Sequence, residues 1–238
     1  MLGELKPFFP FYGSKWRDAR RYPAPCDGVV CEPFAGSAGY TTYFNPRAVT
    51  LLDVDPIIVG VWSYLIRVTP AEVLALPDLV IGESIDDATR LPQEAKWLIG
   101  FWINPGSAQP KKKPSTFTTY VSKAQLRWGH RVRERLAAQV ESIRHWKVSQ
   151  GSYETAPRDA GTYFVDPPYM DKGRYYRFRS VDYAALGAWC RKLPGSVIVC
   201  EQEGATWLPF EPLATIKSTR GTSAEVTFLR GSFGRKVA

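Results

Sequence analysis

The sequence predicts an α/β fold built around a central sheet, and three short apolar runs carry that prediction. Residues 28–31 form a β-prone run that leads through a glycine-containing turn into a helix expected to begin at Tyr40. Residues 49–52 and 162–165 are two more such runs, ending in Asp53 and Asp166. Open α/β sheets bind ligands beyond the carboxyl ends of their strands. The functional residues are therefore expected in the turns that follow these runs.

At 238 residues the chain is long enough to bury a sizeable core, as one domain with a large insertion or as one and a half domains. The longest apolar run, residues 57–66, is too short to cross a bilayer, and no signal peptide precedes it. We therefore expect a cytoplasmic protein, in a bacterial or phage-infected cell. The cysteines lack metal-binding spacing, so free buried thiols and no metal site are expected. They are Cys26, Cys31, Cys190 and Cys200.

The net charge of +8 is concentrated in one part of the chain. Between residues 104 and 147 there are ten basic residues against two acids, Glu134 and Glu141, so the rest of the chain is formally neutral. The basic residues are Lys111, Lys112, Lys113, Lys123, Arg127, Arg131, Arg133, Arg135, Arg144 and Lys147. Such a block is typical of a protein that binds a polyanion.

Residues 70–147 also interrupt the alternation of strands and helices. Helices are expected over residues 70–76 and 94–102, and a third from Ser122, where Ser122 and Gln125 have the spacing of a capping box. Arg127, Arg131 and Arg135 are four residues apart and are expected to share the exposed face of that helix. A face of this kind either contacts nucleic-acid phosphates or is simply solvated.

The turn over residues 32–39 reads EPFAGSAG and joins the first strand to its helix. Nucleotide-binding proteins use this arrangement, because glycine lets a ligand approach the backbone and the helix start offers unpaired N–H groups. The spacing is not GxGxxG, so taken alone the signal is weak. Asp53, about 20 residues further on, lies where an acid holds ribose hydroxyls. Asp55 is expected to cap the next helix, with Pro56 at its first position.

Residues 166–169, Asp-Pro-Pro-Tyr, end the third run, because two prolines cannot continue a sheet ladder. They offer a carboxylate, a carbonyl stiffened by proline and an aromatic ring. Two acceptors and a stacking surface suit a planar base that carries an exocyclic amine. The structural alternative is a turn that merely ends a strand.

The N-terminal stretch over residues 6–16 reads KPFFPFYGSKW and is rich in aromatic and turn residues. It is either an arm packed by its aromatic rings or a lid over a ligand. As a lid, Phe11 and Tyr12 would contact a flat ligand and Lys15 would meet a carboxylate.

With FYGSK, EPFAGS and DPPY in this order, the sequence resembles the Dam-like family of DNA adenine-N6 methyltransferases. The resemblance implies a Rossmann-like class I methyltransferase sheet with a seventh, antiparallel strand. It implies S-adenosyl-L-methionine as cofactor and double-stranded DNA, with a flipped-out adenine, as substrate. The catalytic domain would comprise residues 1–69 and 146–238. Residues 70–145 would be a helical, basic target-recognition insertion.

The resemblance also implies roles for individual residues. The catalytic set is Asp166, Pro167, Pro168 and Tyr169. The cofactor-binding set is Phe11, Tyr12, Gly13, Lys15, Glu32, Phe34, Ala35, Gly36, Ser37, Asp53, Ser152 and Asp166. Lys15 would lie near the cofactor carboxylate and Asp53 at its ribose. The DNA-binding set, drawn from the basic block, is Lys111, Lys112, Lys113, Lys123, Arg127, Arg131 and Arg135.

One position departs from the family. After the strand that precedes DPPY the family usually has Gly-Asp, whereas this chain has Gly151-Ser152. Either Glu154 replaces the missing carboxylate or Ser152 accepts more weakly in its place. Rival functions are cytosine-N4 methylation of DNA, adenine methylation of RNA, and a non-catalytic nucleic-acid-binding protein with a degenerate cofactor site. Either a monomer or a weak dimer is expected.

Overall fold

The structure, a computed structural model, describes residues 5–103, 105–114, 128–170, 175–218 and 221–234, with backbone alone at 214–218 and 221–223. Within these residues seven strands form one sheet. They are β1 Val29–Glu32, β2 Ala48–Asp53, β3 Lys147–Gln150, β4 Thr162–Val165, β5 Ser196–Gln202, β6 Glu211–Ser218 and β7 Gly221–Arg230. The α-helices are α1 Gly39–Phe44, α2 Pro56–Arg67, α3 Pro70–Leu74, α4 Gln93–Ile103, α5 His130–Ala137 and α6 Tyr183–Lys192.

The strands are arranged in the order β3-β2-β1-β4-β5-β7-β6. Neighbouring strands are parallel from β3 to β5, whereas β7 is antiparallel to both β5 and β6. This order and these directions confirm the predicted Rossmann-like sheet with its seventh, antiparallel strand. Strands β6 and β7 pair with each other as an antiparallel hairpin.

Buried side chains alternate between the two faces of the sheet, as expected for strands covered on both sides. On one face, Val30, Phe164 and Ile198 pack with residues of α1, while Val49 and Leu51 pack with residues of α2. The other face packs against α6, through Cys31, Tyr163, Val165, Val197 and Val199. All four cysteines are free thiols, as predicted; the expected burial holds for three of them, whereas Cys26 is only half-buried.

The first two helices begin close to where the sequence predicts them. Helix α1 starts one residue before Tyr40. At the start of α2, the Asp55 side chain accepts the N–H of Ile57 at 2.9 Å and Pro56 occupies the first turn, which confirms the predicted cap. The cap fixes the turn that follows Asp53.

The described part of residues 70–145 packs against the sheet's own helices. Leu98 and Phe101 of α4, with Val132 and Leu136 of α5, belong to the same hydrophobic cluster as Trp62 of α2. This part of the chain therefore shares a core with the proposed catalytic domain. The division at residues 70–145 stays a prediction.

Two predicted features of this segment lie outside the described residues: the capping box at Ser122 and Gln125, and the basic residues Lys123 and Arg127. Among the helices of the described ranges, none is both long and apolar enough to cross a membrane.

Candidate active site

The turns expected to carry function converge beyond the carboxyl ends of β1, β2 and β4. Strands β1 and β4 are neighbours, and the chain continues from them in opposite directions, towards β2 and towards β5. Open α/β sheets form their binding crevice at such a point. Here the crevice is a cavity of about 340 Å³, within the size range of small-molecule sites.

The cavity wall brings together most of the predicted site residues. It includes Phe11, Tyr12, Gly13, Lys15, Glu32, Phe34, Ala35, Gly36, Ser37, Asp53, Ser152, Asp166 and Pro168. Pro167 and Tyr169 are not on this wall. Pro167 is buried, and Tyr169 packs half-buried against the cluster around Tyr40 and Phe164.

Lys15 and Asp166 form an ion pair on this wall. Lys15 Nζ lies 2.7 Å from Asp166 Oδ1 and 2.8 Å from Oδ2, and it also donates to the Gly13 carbonyl at 3.1 Å. Only 9% of the Lys15 side chain and 18% of the Asp166 side chain are exposed. Lys15 thus has a protein partner, and its predicted contact with a cofactor carboxylate stays a prediction.

Burial and charge act against each other at this pair. Burial raises the pKa of Asp166, and the positive charge of Lys15 opposes that rise. Burial alone would lower the pKa of Lys15, but the charges of Asp166 and Glu225 outweigh it and raise that pKa. Each partner therefore favours the charged form of the other.

Hydroxyl groups hold the turn that carries Asp166. The O–H of Tyr183, in the first turn of α6, donates to the Pro168 carbonyl at 2.6 Å. The O–H of Tyr169 donates to Glu225 Oε1 at 2.9 Å, and Lys15 Nζ lies 4.9 Å from the centroid of the Tyr169 ring. The hydroxyl end of Tyr169 is thus tied to β7, away from the cavity wall. Its predicted stacking on a target base stays a prediction.

The glycine turn is fastened to the end of β2. Asp53 Oδ2 accepts the N–H of Gly36 at 2.9 Å, and Oδ1 accepts the N–H of Asp55 at 2.9 Å. The N–H of Val54 also stabilises this carboxylate, and the two oxygens together retain a lone pair for a ligand hydroxyl. Burial raises the pKa of Asp53 to about 6, and these hydrogen bonds oppose the rise. Gly36 has φ +45°, and a Cβ there would lie 3.1 Å from the Phe11 ring, so the arm packs directly on the turn.

Glu32, at the end of β1, is a buried carboxyl group on the cavity wall. One of its oxygens accepts the N–H of Thr41 in α1 at 2.7 Å. Burial raises its pKa to about 8, against the effect of the Thr41 hydrogen bonds. It is therefore protonated more readily than an exposed glutamate and gains from a positively charged partner.

The departure at Ser152 lies on the same wall. Ser152 Oγ accepts the N–H of Glu154 and lies 3.4 Å from its Oε2, and both residues line the cavity. Between them, Tyr153 stacks on Phe34 with ring centroids 5.7 Å apart. A carboxylate is thus present two residues beyond the usual position. Its replacement of the missing acid stays a prediction.

Tyr176 is a wall residue that sequence reasoning missed. Its O–H donates to the Tyr12 carbonyl at 3.3 Å, and its ring lies 6.0 Å from that of Phe11. Gly13 has φ +77°, and a Cβ there would collide with the Tyr176 hydroxyl. The sequence signal that could have identified Tyr176 is the high density of aromatic residues after DPPY. No pattern connected it to the N-terminal arm, which lies more than 150 residues earlier.

The predicted DNA-binding residues have different environments. Lys111, Lys112 and Lys113 are exposed, in the loop that follows Gln109 of the cavity wall. Lys112 pairs with Asp86 at 2.7 Å but keeps 73% of its side chain exposed. Arg131 is exposed on α5.

Arg135 does not share the exposed face with Arg131, and that expectation is wrong. Its guanidinium lies 4.9 Å from the centroid of the Trp102 ring and donates to the Pro7 carbonyl at 3.4 Å. The reason is that the last turn of α5 packs on α4 and the N-terminal arm. Arg133 is also buried, in an ion pair with Asp78.

No protein-family model matches the sequence, and no curated protein is similar to it. A conserved protein of Streptococcus pyogenes is 11% identical, with a TM-score of 0.41 over 87% of this chain and 89% of that chain. The Escherichia coli protein yhhF, which carries the name of a methyltransferase, is 9% identical, with a TM-score of 0.40 over 98% and 97%. The glycopeptide N-methyltransferase MtfA is 14% identical, with a TM-score of 0.35 over 93% and 76%. These similarities are too weak to carry an argument about activity, so the fold assignment rests on the strand order described above.

Proposed function

We propose that this protein is an S-adenosylmethionine-dependent methyltransferase that acts on the N6 amine of a flipped-out adenine in DNA. The observation that carries the proposal is the position of Asp166. It ends the central strand β4, on the wall of the crevice and beside the glycine turn. A hydrogen-bond acceptor for an amine therefore shares one cavity with a nucleotide-binding turn.

The cavity suits the proposed cofactor in three respects. The backbone of Gly36 lies on the wall, as close approach to a ligand requires. Asp53 keeps a lone pair for a ribose hydroxyl after binding the turn. Glu32 is a buried carboxyl group, and the ammonium group of the amino-acid end would favour its ionised form. When bound, S-adenosylmethionine supplies a methyl group carried on a positively charged sulfur.

The protein's residues must activate the adenine amine, which is a poor nucleophile. The lone pair of an adenine amine is conjugated with the ring. A hydrogen bond from the NH₂ group to the Asp166 carboxylate favours a pyramidal nitrogen whose lone pair is free. Methyl transfer places a positive charge on that nitrogen. Asp166 stabilises the charge, as preorganised acceptors do, and then takes up the surplus proton, which passes to water.

DNA as the substrate is supported by the charges around the cavity. Lys111, Lys112 and Lys113 begin two residues after Gln109, so a cationic loop adjoins the cavity rim. A duplex held there would present phosphates to this loop. The target adenine must leave the stack to reach Asp166, which costs a few kcal/mol.

The proposal is tested by incubating the protein with S-adenosylmethionine and unmethylated genomic DNA, or RNA in parallel, and measuring modified nucleosides by mass spectrometry. N6-methyladenine in DNA is the expected product. N4-methylcytosine would keep the role of Asp166 and change the base, and a product in RNA alone would change the substrate. Cofactor binding without any modified nucleoside would contradict the proposal.

A further inference from the structure

Glu225 is a buried carboxylate next to the proposed catalytic pair, and nothing in the mechanism above uses it. It lies on the antiparallel strand β7, where it pairs in register with Gln202 of β5. Only 4% of its surface is exposed. Burying a carboxylate is unfavourable unless charges or hydrogen bonds compensate it.

Three separate parts of the chain meet at one oxygen of this residue. Glu225 Oε1 accepts the O–H of Tyr169 at 2.9 Å and the O–H of the fully buried Tyr22. Lys15 Nζ lies 3.7 Å from the same oxygen. The hydroxyls satisfy the oxygen as an acceptor, but only Lys15 offers an opposite charge among these contacts.

We propose that Glu225 is a positioning residue that acts on Asp166 through Lys15, by holding the ammonium group between two carboxylates. The inference rests on the proposed function, because its consequence is catalytic. An amine that receives a methyl group gains positive charge, and Lys15 with Asp166 alone would present it with a neutral pair. One ammonium between two carboxylates leaves one net negative charge at the site when all three are ionised.

The same arrangement makes Asp166 a better acceptor. Burial raises the pKa of Asp166, the negative charge of Glu225 adds to that rise, and the positive charge of Lys15 opposes it. A more basic carboxylate binds and accepts an amine proton more strongly. Other titratable groups whose charges interact with that of Asp166 are Tyr22, Glu32, Tyr176, Cys200 and Glu201.

The test compares Glu225→Gln with Glu211→Gln, which removes an exposed carboxylate from the same hairpin. Glutamine keeps an acceptor for both tyrosines and removes only the charge. We expect Glu225→Gln to lower kcat by about tenfold or more while the Kd of S-adenosylmethionine changes by less than about twofold. Tyr22→Phe removes one of the two hydroxyls that donate to Glu225 and keeps the charge, so kcat should stay within about threefold of wild type.

A second readout does not depend on turnover. In protein labelled with carboxyl-¹³C aspartate, with the Asp166 signal identified by its loss in Asp166→Asn, NMR titration should give a lower pKa for Asp166 in Glu225→Gln than in wild type. If Glu225→Gln does not fold, Glu225→Asp keeps the charge one methylene further from Lys15 and should lower the Asp166 pKa by a smaller amount.

An unchanged Asp166 pKa would overturn the inference. So would a weakened cofactor Kd with unchanged kcat, since that pattern belongs to a purely structural residue. If the wild-type protein transfers no methyl group, the proposed function fails. The titration then decides by itself whether Glu225 acts on Asp166.

Discussion

At the scale of single residues, the site is defined by carboxylates whose environments differ. Asp166 is paired with Lys15, Asp53 binds two backbone N–H groups, and Glu32 has one N–H donor and no paired cation in the contacts described above. Exposed ion pairs contribute little to stability, whereas removing one partner of a buried pair is strongly destabilising. Lys15 and Asp166 form a buried pair. This pair joins the N-terminal arm firmly to the end of β4.

Glu32 gives a prediction about stability and pH. Its pKa in the folded protein is about 8, against an ordinary value of 4.5. Between these two pH values the unfolded chain releases the proton and the folded protein keeps it. The free energy of unfolding therefore falls as pH rises, with a contribution of up to about 1.4 kcal/mol per pH unit from this one proton. Above pH 8 neither the folded nor the unfolded chain holds this proton, so Glu32 no longer makes the free energy of unfolding depend on pH.

Glu32→Gln has no such proton, so its stability relative to wild type should increase steadily between pH 5 and pH 8. Urea denaturation at several pH values in this window measures the difference. The control is Glu203→Gln, which alters an exposed glutamate. Its free energy of unfolding, plotted against pH, should run parallel to that of wild type. Parallel curves for Glu32→Gln as well would show that the Glu32 carboxyl is not perturbed.

At the scale of elements, the N-terminal arm packs against residues 175–180 at the cavity wall. Tyr12 contacts both Tyr175 and Tyr176, with ring centroids 5.0 and 5.7 Å apart. Phe11 packs on the glycine turn beneath. These contacts connect the glycine turn with the segment that follows Asp166.

The basic elements give a prediction about salt. Each phosphate contact contributes about 0.9 to the slope of log K against log salt concentration. Replacing Lys111, Lys113 and Arg131 with glutamine should therefore reduce the slope for duplex DNA by up to about three units. It should weaken binding to different DNA sequences by similar factors, because phosphate contacts do not read sequence.

Fluorescence anisotropy at several salt concentrations measures that slope. Lys192→Gln is the matched control, since Lys192 is an exposed lysine on α6, which packs on the opposite face of the sheet from α5. A triple variant with the wild-type slope would mean that these cations are only solvated.

At the scale of the whole molecule, the sheet was predictable because the candidate functional residues of this sequence follow directly after the apolar runs that form strands. The run over residues 162–165 is β4 itself, and Asp166 and Pro168 of the turn that follows it line the cavity. Asp55 capped its helix as predicted because an N-cap depends only on neighbouring residues. Features set by local patterns were thus accessible from the sequence.

Contacts between distant segments were not accessible. Arg135 has the spacing of an exposed arginine, but Trp102, from another helix, covers it. Glu225 looked like an ordinary strand residue, because nothing local shows that Lys15, Tyr22 and Tyr169 converge on it. The structure buries Glu225 together with the next two residues of β7, Val226 and Thr227. A charge at a position buried by its strand usually has a partner.

The central claim is that Asp166 binds the reacting amine, and single-turnover methyl transfer tests it most directly. Asp166→Ala should transfer the methyl group about 10²-fold more slowly or worse, as expected for the loss of one preorganised partner, while S-adenosylmethionine still binds. Asp159→Ala, an exposed aspartate just before β4, should behave as wild type. An Asp166→Ala protein that transfers the methyl group at the wild-type rate would contradict the account.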